Sequence, residues 1–325
     1  MDKILVICGP TSTGKTSLAI RIAKKYRGEI ISADSRQAYK GMNIGTGKDL
    51  PENSSLQFPI SNLKKEKIGY YEIKGVKIWG YDLVSPDKEF SLGQYIPIAR
   101  TVIGDILSRK NLPILVGGTG LYIKGVIEGI ETALVPKNSN LREKYKQKSI
   151  DELQQIISSL DPFKLASMNI SDRQNSRRLM RAIEILEFEI GKERNYPYKL
   201  GRLVKDVMFI GLIAPKSILD IRIDKRIRNR LKMGIEEEIR KLLKIGIKWN
   251  SQSMQALGYR QWFGYFTNEK TLKEVIDRWS RDEKKYAKRQ LTWFRKVKEI
   301  SWFDISKENW NKSVEKLIEK WYKSS

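Results

Sequence analysis

The sequence predicts an α/β fold: a doubly wound, mostly parallel sheet, with a helical lobe inserted into it and more helices toward the C-terminal end. Three observations carry that expectation. Short apolar runs of strand length alternate with helical patterns, the rhythm that builds parallel sheets. Residues 138–200 break the rhythm and read as helices only. The first apolar run leads directly into a glycine-bracketed loop and then a helix, the context in which a backbone wraps around phosphate.

The first strand is the run ILVIC at residues 4–8, continuous in the way of a strand covered on both faces. Gly9, Pro10, Thr11, Ser12, Thr13, Gly14, Lys15 and Thr16 follow and satisfy G-x-x-x-x-G-K-[ST] without a mismatch. Gly9 and Gly14 let the backbone turn so that successive N–H groups point at phosphate oxygens. Lys15 adds a positive charge, and the Thr16 hydroxyl is suited to Mg²⁺. The helix that follows carries Leu18, Ala19, Ile22 and Ala23 on one side and offers its positive end to the anion. The core is therefore expected to be P-loop NTPase-like.

A second short strand starts at Ile30-Ile31 and ends near Asp34. Residues 48–67 are polar and read as a loop, whereas residues 68–83 alternate around Lys74-Gly75 and read as a hairpin. The third strand is residues 113–116, followed by Gly117-Gly118-Thr119-Gly120 and a helix start; the fourth is residues 207–213. In the helical segment, Asp161-Pro162 and Ser171-Asp172 are helix starts and Gly191 a stop. Beyond the fourth strand, Ile223, Ile227, Leu231 and Ile235 form one apolar stripe ending near Gly246, and residues 281–298 form a last strong helix. The expected domains are a P-loop core with C-terminal helices, residues 1–137 and 201–325, and an inserted helical lobe, residues 138–200.

Composition narrows the chemistry. There are 62 Lys and Arg against 38 Asp and Glu, a formal net charge of +24, more than a small phosphate ligand calls for. A lysine-rich solvated surface accounts for the total equally well until the arginines are located. The chain has no histidine and one cysteine, which excludes Ser-His and Cys-His catalysis and zinc sites of the Cys/His type. The first apolar run is too short for a signal-peptide core and none approaches a membrane span, so a soluble cytoplasmic protein is expected. A nucleotide hydrolase usually places an acid after a later apolar strand to help hold Mg²⁺, but here the third strand ends in ILVGG. The carboxylate comes instead after the second strand, as Asp34. Strand ends converge on the ligand crevice of such sheets, so Asp34 serves as a Mg²⁺ helper or a general base, or else merely caps a turn.

Asp34-Ser35-Arg36-Gln37, its continuation through residues 39–48, and LVGGTGLY at residues 115–122 closely resemble the bacterial tRNA dimethylallyltransferases. So do Arg177-Arg178-Leu179-Met180-Arg181, the block at residues 254–259, and YAKRQLTWFR at residues 286–295. The blocks follow the family's order over nearly the whole chain. The resemblance implies transfer of a dimethylallyl group from dimethylallyl diphosphate to the N6 amine of the adenosine 3′ of the anticodon. Residues 9–16 would then grip the diphosphate, with Mg²⁺ on Thr16 and Arg222 reaching the same group. Asp34, Lys15 and Thr119 would act in catalysis. The anticodon stem-loop of tRNA would meet Asp34, Ser35, Arg36, Gln37, Thr119, Arg142 and residues 177–181, Leu179 and Met180 included, and the protein would be a monomer. An adenine amine is a poor nucleophile and must lose a proton; without histidine, Asp34 is the natural base, and Gln37 can pair with a base edge. One departure stands out: the family usually carries a histidine in the segment leading to Asp82, where this chain has Trp79. The rival reading is a P-loop kinase of a small molecule, which predicts ATP binding and little need for the basic excess.

Overall fold

The computed structural model describes residues 2–48, 50–51, 54–63, 66–191 and 200–324, which fall into two units, residues 1–127 with 202–325 and residues 128–201. The first unit opens with β1 (Lys3–Cys8), α1 (Lys15–Lys25), β2 (Gly28–Ser32), β3 (Gln57–Leu63), β4 (Glu66–Ile73), β5 (Val76–Trp79), α2 (Leu92–Ser108), β6 (Leu112–Gly117) and α3 (Gly120–Ile127). The chain then enters the second unit through α4 (Ser139–Lys144), α5 (Ile150–Leu160), α6 (Pro162–Ser167), α7 (Ile170–Arg173) and α8 (Ser176–Ile190). It returns as β7 (Asp206–Ile213), α9 (Lys216–Lys232), α10 (Ile235–Lys244), α11 (Phe263–Phe266), α12 (Leu272–Phe294), β8 (Ile300–Asp304) and α13 (Trp310–Lys323).

One sheet organises the first unit, in the order β3-β4-β5-β2-β6-β1-β7-β8. Pairing is parallel from β5 to β8 and antiparallel across β3-β4-β5. Every residue of β1 is buried because helices cover both of its faces. Ile4, Val6 and Cys8 pack with α2, α3, α9, α10 and α12, while Leu5 and Ile7 pack with α1 and α13. Each such aliphatic side chain contributes about 1.5–3 kcal/mol relative to exposure.

In the first unit the structure departs from the sequence expectations in four places. Within residues 48–67, which read as a loop, the chain forms β3 and the start of β4; residues 49, 52–53 and 64–65 lie outside the described residues. The apolar stripe that joined Ile223 to Ile235 is split, because Gly234 turns with φ +86° and α10 begins anew. The last strong helix is longer than 281–298 at its start: Thr271 caps it and Glu274 reaches back to the Thr271 N–H, so α12 begins nine residues earlier. β8 was not foreseen, its ISWFD sequence being only partly apolar on the sheet edge.

The second unit has its own core. Leu141, Leu153, Ile157, Leu179, Ala182, Ile183 and Leu186 pack together. Asp161 caps α6 with Pro162 at its first position, and Gly191 ends α8, as the sequence indicates. The start read at Ser171-Asp172 is displaced: Asn169 caps α7 and Asn175 caps α8. Among the described residues no helix is long and apolar enough to cross a membrane.

Candidate active site

Three segments leave the carboxyl ends of neighbouring strands side by side. β1 and β6 pair with Cys8 opposite Gly117, and β6 and β2 pair with Val116 opposite Ser32. The phosphate loop, the Gly117–Gly120 turn and the segment beginning at Ala33 therefore line one crevice, with the turn in the middle. The outer two are two strand spacings apart, roughly 9–10 Å. Close approach is enforced by missing side chains: a Cβ at Gly117 would run into the Ala33 carbonyl, and one at Gly9 into the Leu212 carbonyl.

The loop itself is preformed. Gly9 and Gly14 adopt φ +129° and +85°, and Ser12 sits at +63°, a conformation that serves the wrap and not the serine. The Thr13 hydroxyl donates to the Pro10 carbonyl at 2.9 Å and Lys15 Nζ to the same oxygen at 2.6 Å. Ser12 Oγ is buried with no hydrogen-bond partner among the described residues. An orphaned hydroxyl beside a set of inward N–H groups is what an anion would satisfy.

The crevice opens into a cavity of about 830 Å³. The face of α9 supplies Arg222, Lys225, Arg226, Asn229 and Arg230 to it, one helical turn apart in two rows. Arg226 Nη1 donates to Thr11 Oγ1 at 2.6 Å, while Arg230 pairs with the buried Glu283 at 3.1 Å. Burial, and then repulsion from Arg226, lowers Lys15 to about 8, with Cys8 and Asp34 pulling the other way. Cys8 lies beneath the loop as a buried thiol pushed up to about 12 by desolvation, an inert group.

Asp34 lines the opposite side of the cavity, its Oδ1 accepting from the Arg36 N–H at 2.9 Å. Tyr286 of α12 also lines the cavity. Burial raises its phenol well above the ordinary value, with the Asp34 carboxylate adding to the effect, so the group is neutral near pH 7. Thr119 Oγ1 lies close to that phenol yet makes no well-aligned hydrogen bond. The Gly45–Gly47 wall is clamped from behind. Glu238 accepts from the N–H groups of Asn43, Ile44 and Gly45 at 2.8–3.1 Å and from the Tyr259 hydroxyl at 2.6 Å. Gln37 Oε1 accepts from Ser32 Oγ at 2.6 Å and its Nε2 donates to the Gly47 carbonyl at 3.0 Å. Base pairing by Gln37 would thus require those two bonds to be exchanged.

Comparison with known proteins places this architecture. The IPP transferase family model matches residues 37–297 and the isopentenyl transferase model residues 2–57. The chain belongs to the IPP transferase family. It is 36% identical to the tRNA dimethylallyltransferase of Pediococcus pentosaceus over 94% of this chain and 92% of that one, and 36% identical to that of Carboxydothermus hydrogenoformans over 98% and 96%. Among solved structures it resembles the full-length tRNA isopentenylpyrophosphate transferase of Bacillus halodurans. That match has TM-score 0.68 and 31% identity, covering 99% of this chain and 97% of that one. A eukaryotic dimethylallyltransferase acting on tRNA shares the fold, with TM-score 0.74, 23% identity and coverage of 97% and 77%.

Within this IPP transferase, the site residues read from sequence separate into four groups. Residues 9–16, Asp34 to Gln37, Thr119 and Arg222 stand in or beside the cavity, with Thr11, Ser12, Gly14, Lys15, Thr16, Asp34 to Gln37, Thr119 and Arg222 on its lining. Arg142, Arg178 and Arg181 belong to the second unit, where each is engaged. Arg142 donates to the buried Glu184 through Nε and Nη2 at 2.6 and 2.9 Å, Arg181 to Glu184 at 3.1 Å and to the Thr132 and Val135 carbonyls, and Arg178 pairs with Asp172. Leu179 is a correction: it is 0% exposed in the core of the unit, so its side chain offers no contact surface, whereas Met180 packs on that core half-buried. Arg177 is exposed and makes no hydrogen bond or ion pair among the described residues.

Two residues escaped the sequence reading. Arg226 lies one turn beyond Arg222, and that spacing was the available signal. Gln290 lines the cavity from α12 beside the exposed Arg289, while Lys288 is exposed off the cavity lining. A lone glutamine in a cationic helix carries no sequence signal of its own.

Proposed function

We propose that this IPP transferase moves a dimethylallyl group from dimethylallyl diphosphate to the N6 amine of a tRNA adenosine, the one 3′ of the anticodon. The observation that supports it most is a preformed anion loop facing, across one cationic cavity, the Asp34 carboxylate, which makes no ion pair among the described residues, unlike Glu283. The diphosphate sits on the loop N–H groups, Ser12, Lys15 and Arg222. The allylic C–O bond breaks and the charge that builds on the departing oxygens meets those donors. The adenine amine attacks the allylic carbon from the Asp34 side, the N6–C bond forms, and its proton passes to Asp34. Thr119 and the neutral Tyr286 line the space between and orient the acceptor.

Mg²⁺ fits this arrangement through Thr16 at the head of α1. Among the described residues there is no group of three or more His, Cys, Asp or Glu side chains able to hold a metal. Mg²⁺ with phosphates usually keeps several waters and takes substrate oxygens, and the P-loop hydroxyl, here Thr16, would be its protein ligand. When bound it would add charge neutralisation at the leaving group.

The test is a transfer reaction with unmodified tRNA, Mg²⁺ and either dimethylallyl diphosphate or ATP, read by nucleoside mass spectrometry. Prenylated adenosine is expected only with the prenyl donor. Asp34→Asn should bind tRNA as the parent does and lose about 10²–10⁴ in turnover. ATP consumption without prenylation, or parental turnover by Asp34→Asn, would sink the reading or the role of Asp34 respectively.

A further inference from the structure

The inward face of α12 does something its outward face hides. Lys285 and Lys288 are exposed, but Ala287, Gln290 and Phe294 are buried against the sheet. Gln290 is 5% exposed and uses both ends of its carboxamide. Its Oε1 accepts from the Thr11 N–H of the phosphate loop at 2.8 Å, and its Nε2 donates to the Gly118 carbonyl at 2.9 Å. Both bonds are buried, and they join the ends of two adjacent strands, β1 and β6. The seat is cut to size: a Cβ on Gly118 would strike Gln290 Nε2, and one on Gly120 the Trp293 ring. Thr11 is held a second time, through its hydroxyl, by Arg226 of α9.

Thr11 belongs to the segment that receives the diphosphate, and Gly118 immediately precedes Thr119 on the acceptor side. A carboxamide alone among side chains of this length donates from one end and accepts at the other without charge. We propose that Gln290 is a positioning residue that sets the spacing between the leaving-group loop and the acceptor-side turn, and so decides whether the allylic carbon is taken by the tRNA amine or by water. The proposal rests on the transferase reading above. With correct spacing, each diphosphate released corresponds to one N6–C bond. With the spacing lost, the C–O bond still breaks on the loop, but water attacks the carbon, giving dimethylallyl alcohol, diphosphate and a proton to solvent.

The experiment measures diphosphate released and prenylated adenosine formed in the same reaction, with the full chain, unmodified tRNA, Mg²⁺ and dimethylallyl diphosphate. The parent should give a ratio near one. Gln290→Met, which keeps the length and removes both hydrogen bonds, should slow transfer about tenfold to a hundredfold. Diphosphate release should fall less, so that the ratio rises about threefold or more, while tRNA affinity stays within about twofold. If Gln290→Met fails to fold, Gln290→Glu is read the same way, since it keeps the acceptor for Thr11 and loses the donor to Gly118. Unchanged rates, or transfer and release falling together at a ratio of one, overturn the positioning role. A parent that makes no prenylated adenosine overturns the transferase reading, and the proposal with it; an active parent with unaltered variants overturns the proposal alone.

Discussion

On α9, Arg222, Lys225 and Arg226 line the phosphate cavity and have no carboxylate partner among the described residues. On α8, Arg181 is bound to Glu184 one turn along the same helix, and Glu184 also takes Arg142 and the Asn138 N–H. Both helices display basic residues at one-turn spacing, and in sequence they look alike. What separates them is where the acid lies. Asp224 of α9 is turned away, accepting from Ser280 and Lys284 of α12, so the cations of α9 keep their charge for a ligand. Glu184 is buried and faces its arginines; burial alone would raise it, but hydrogen bonds from Arg142, Asn138 and Arg181 hold it below the ordinary glutamate value. On the proposed reading the α9 set is left for binding, whereas Arg178 and Arg181 of α8 are engaged within their own unit.

The strongest way to break that contrast is Glu184→Ala. Removing the anion takes one shared acceptor from Arg142, Arg181 and the Asn138 N–H, while Arg181 keeps the Thr132 and Val135 carbonyls. Losing one partner of a buried pair costs about 3–5 kcal/mol, and the partial exposure of both arginines argues for the lower end. Urea unfolding of the full chain, with hydrogen exchange along α8, should report that loss. Unaltered protection in α8 would mean that the arginines are not held by Glu184 and are available to a ligand after all.

Arg226→Ala tests the other side. A charge-assisted hydrogen bond from this cavity-lining arginine to diphosphate would be worth about 1.5–3 kcal/mol, so the Kd for inorganic diphosphate should rise about tenfold to a hundredfold, while unfolding should register only the lost bond to Thr11 Oγ1. Its pH dependence sharpens the point. Lys15 titrates at about 8 in the free protein, below the ordinary 10.5, so the amine is charged below that pH and neutral above it. Diphosphate affinity should therefore be level below about 8 and fall as pH rises past it. Stability has the opposite sign: between 8 and 10.5 the folded chain binds fewer protons than the unfolded one, so it gains stability as pH rises. Removing Arg226 removes a repulsion, and the fall in affinity should begin at a higher pH. Calorimetric titrations from pH 7 to 9.5 that show the same onset in both proteins would detach Arg226 from Lys15.

The same contrast marks how far the sequence was legible. Residues 4–16 could be read outright, because an apolar run, two glycines and Lys-Thr each answer a local backbone requirement. Asp34 was legible as a strand-end residue, since the crevice of a parallel sheet is where such ends meet, whereas Thr119 was legible only through the family resemblance of its motif. Arg142 and Arg181 were not: their partner Glu184 lies 42 and 3 residues away, and only packing says that it faces inward. Gln290 was hidden for the same reason, being 279 residues from Thr11 and 172 from Gly118. β3 and β8 were missed because edge strands have few neighbours to demand an apolar pattern.

Arg177 is the residue on which the two helices come closest to each other in kind. It is exposed at the start of α8 and, among the described residues, unpaired, unlike Arg178 with Asp172 and Arg181 with Glu184. If the second unit touches tRNA phosphate through this helix, Arg177→Ala should weaken tRNA binding only several-fold and lower the slope of log affinity against log salt by about one. Unfolding should stay within about 0.5 kcal/mol of the parent, because no contact is lost. Arg181→Ala makes the useful counterpart: it should lower stability, since it frees the Thr132 and Val135 carbonyls and half-empties Glu184. Titrations of tRNA from low to physiological salt separate the two. An unchanged slope in Arg177→Ala would make α8 wholly architectural, and tRNA would then have to be gripped elsewhere, with the exposed lysines of α12 next in line.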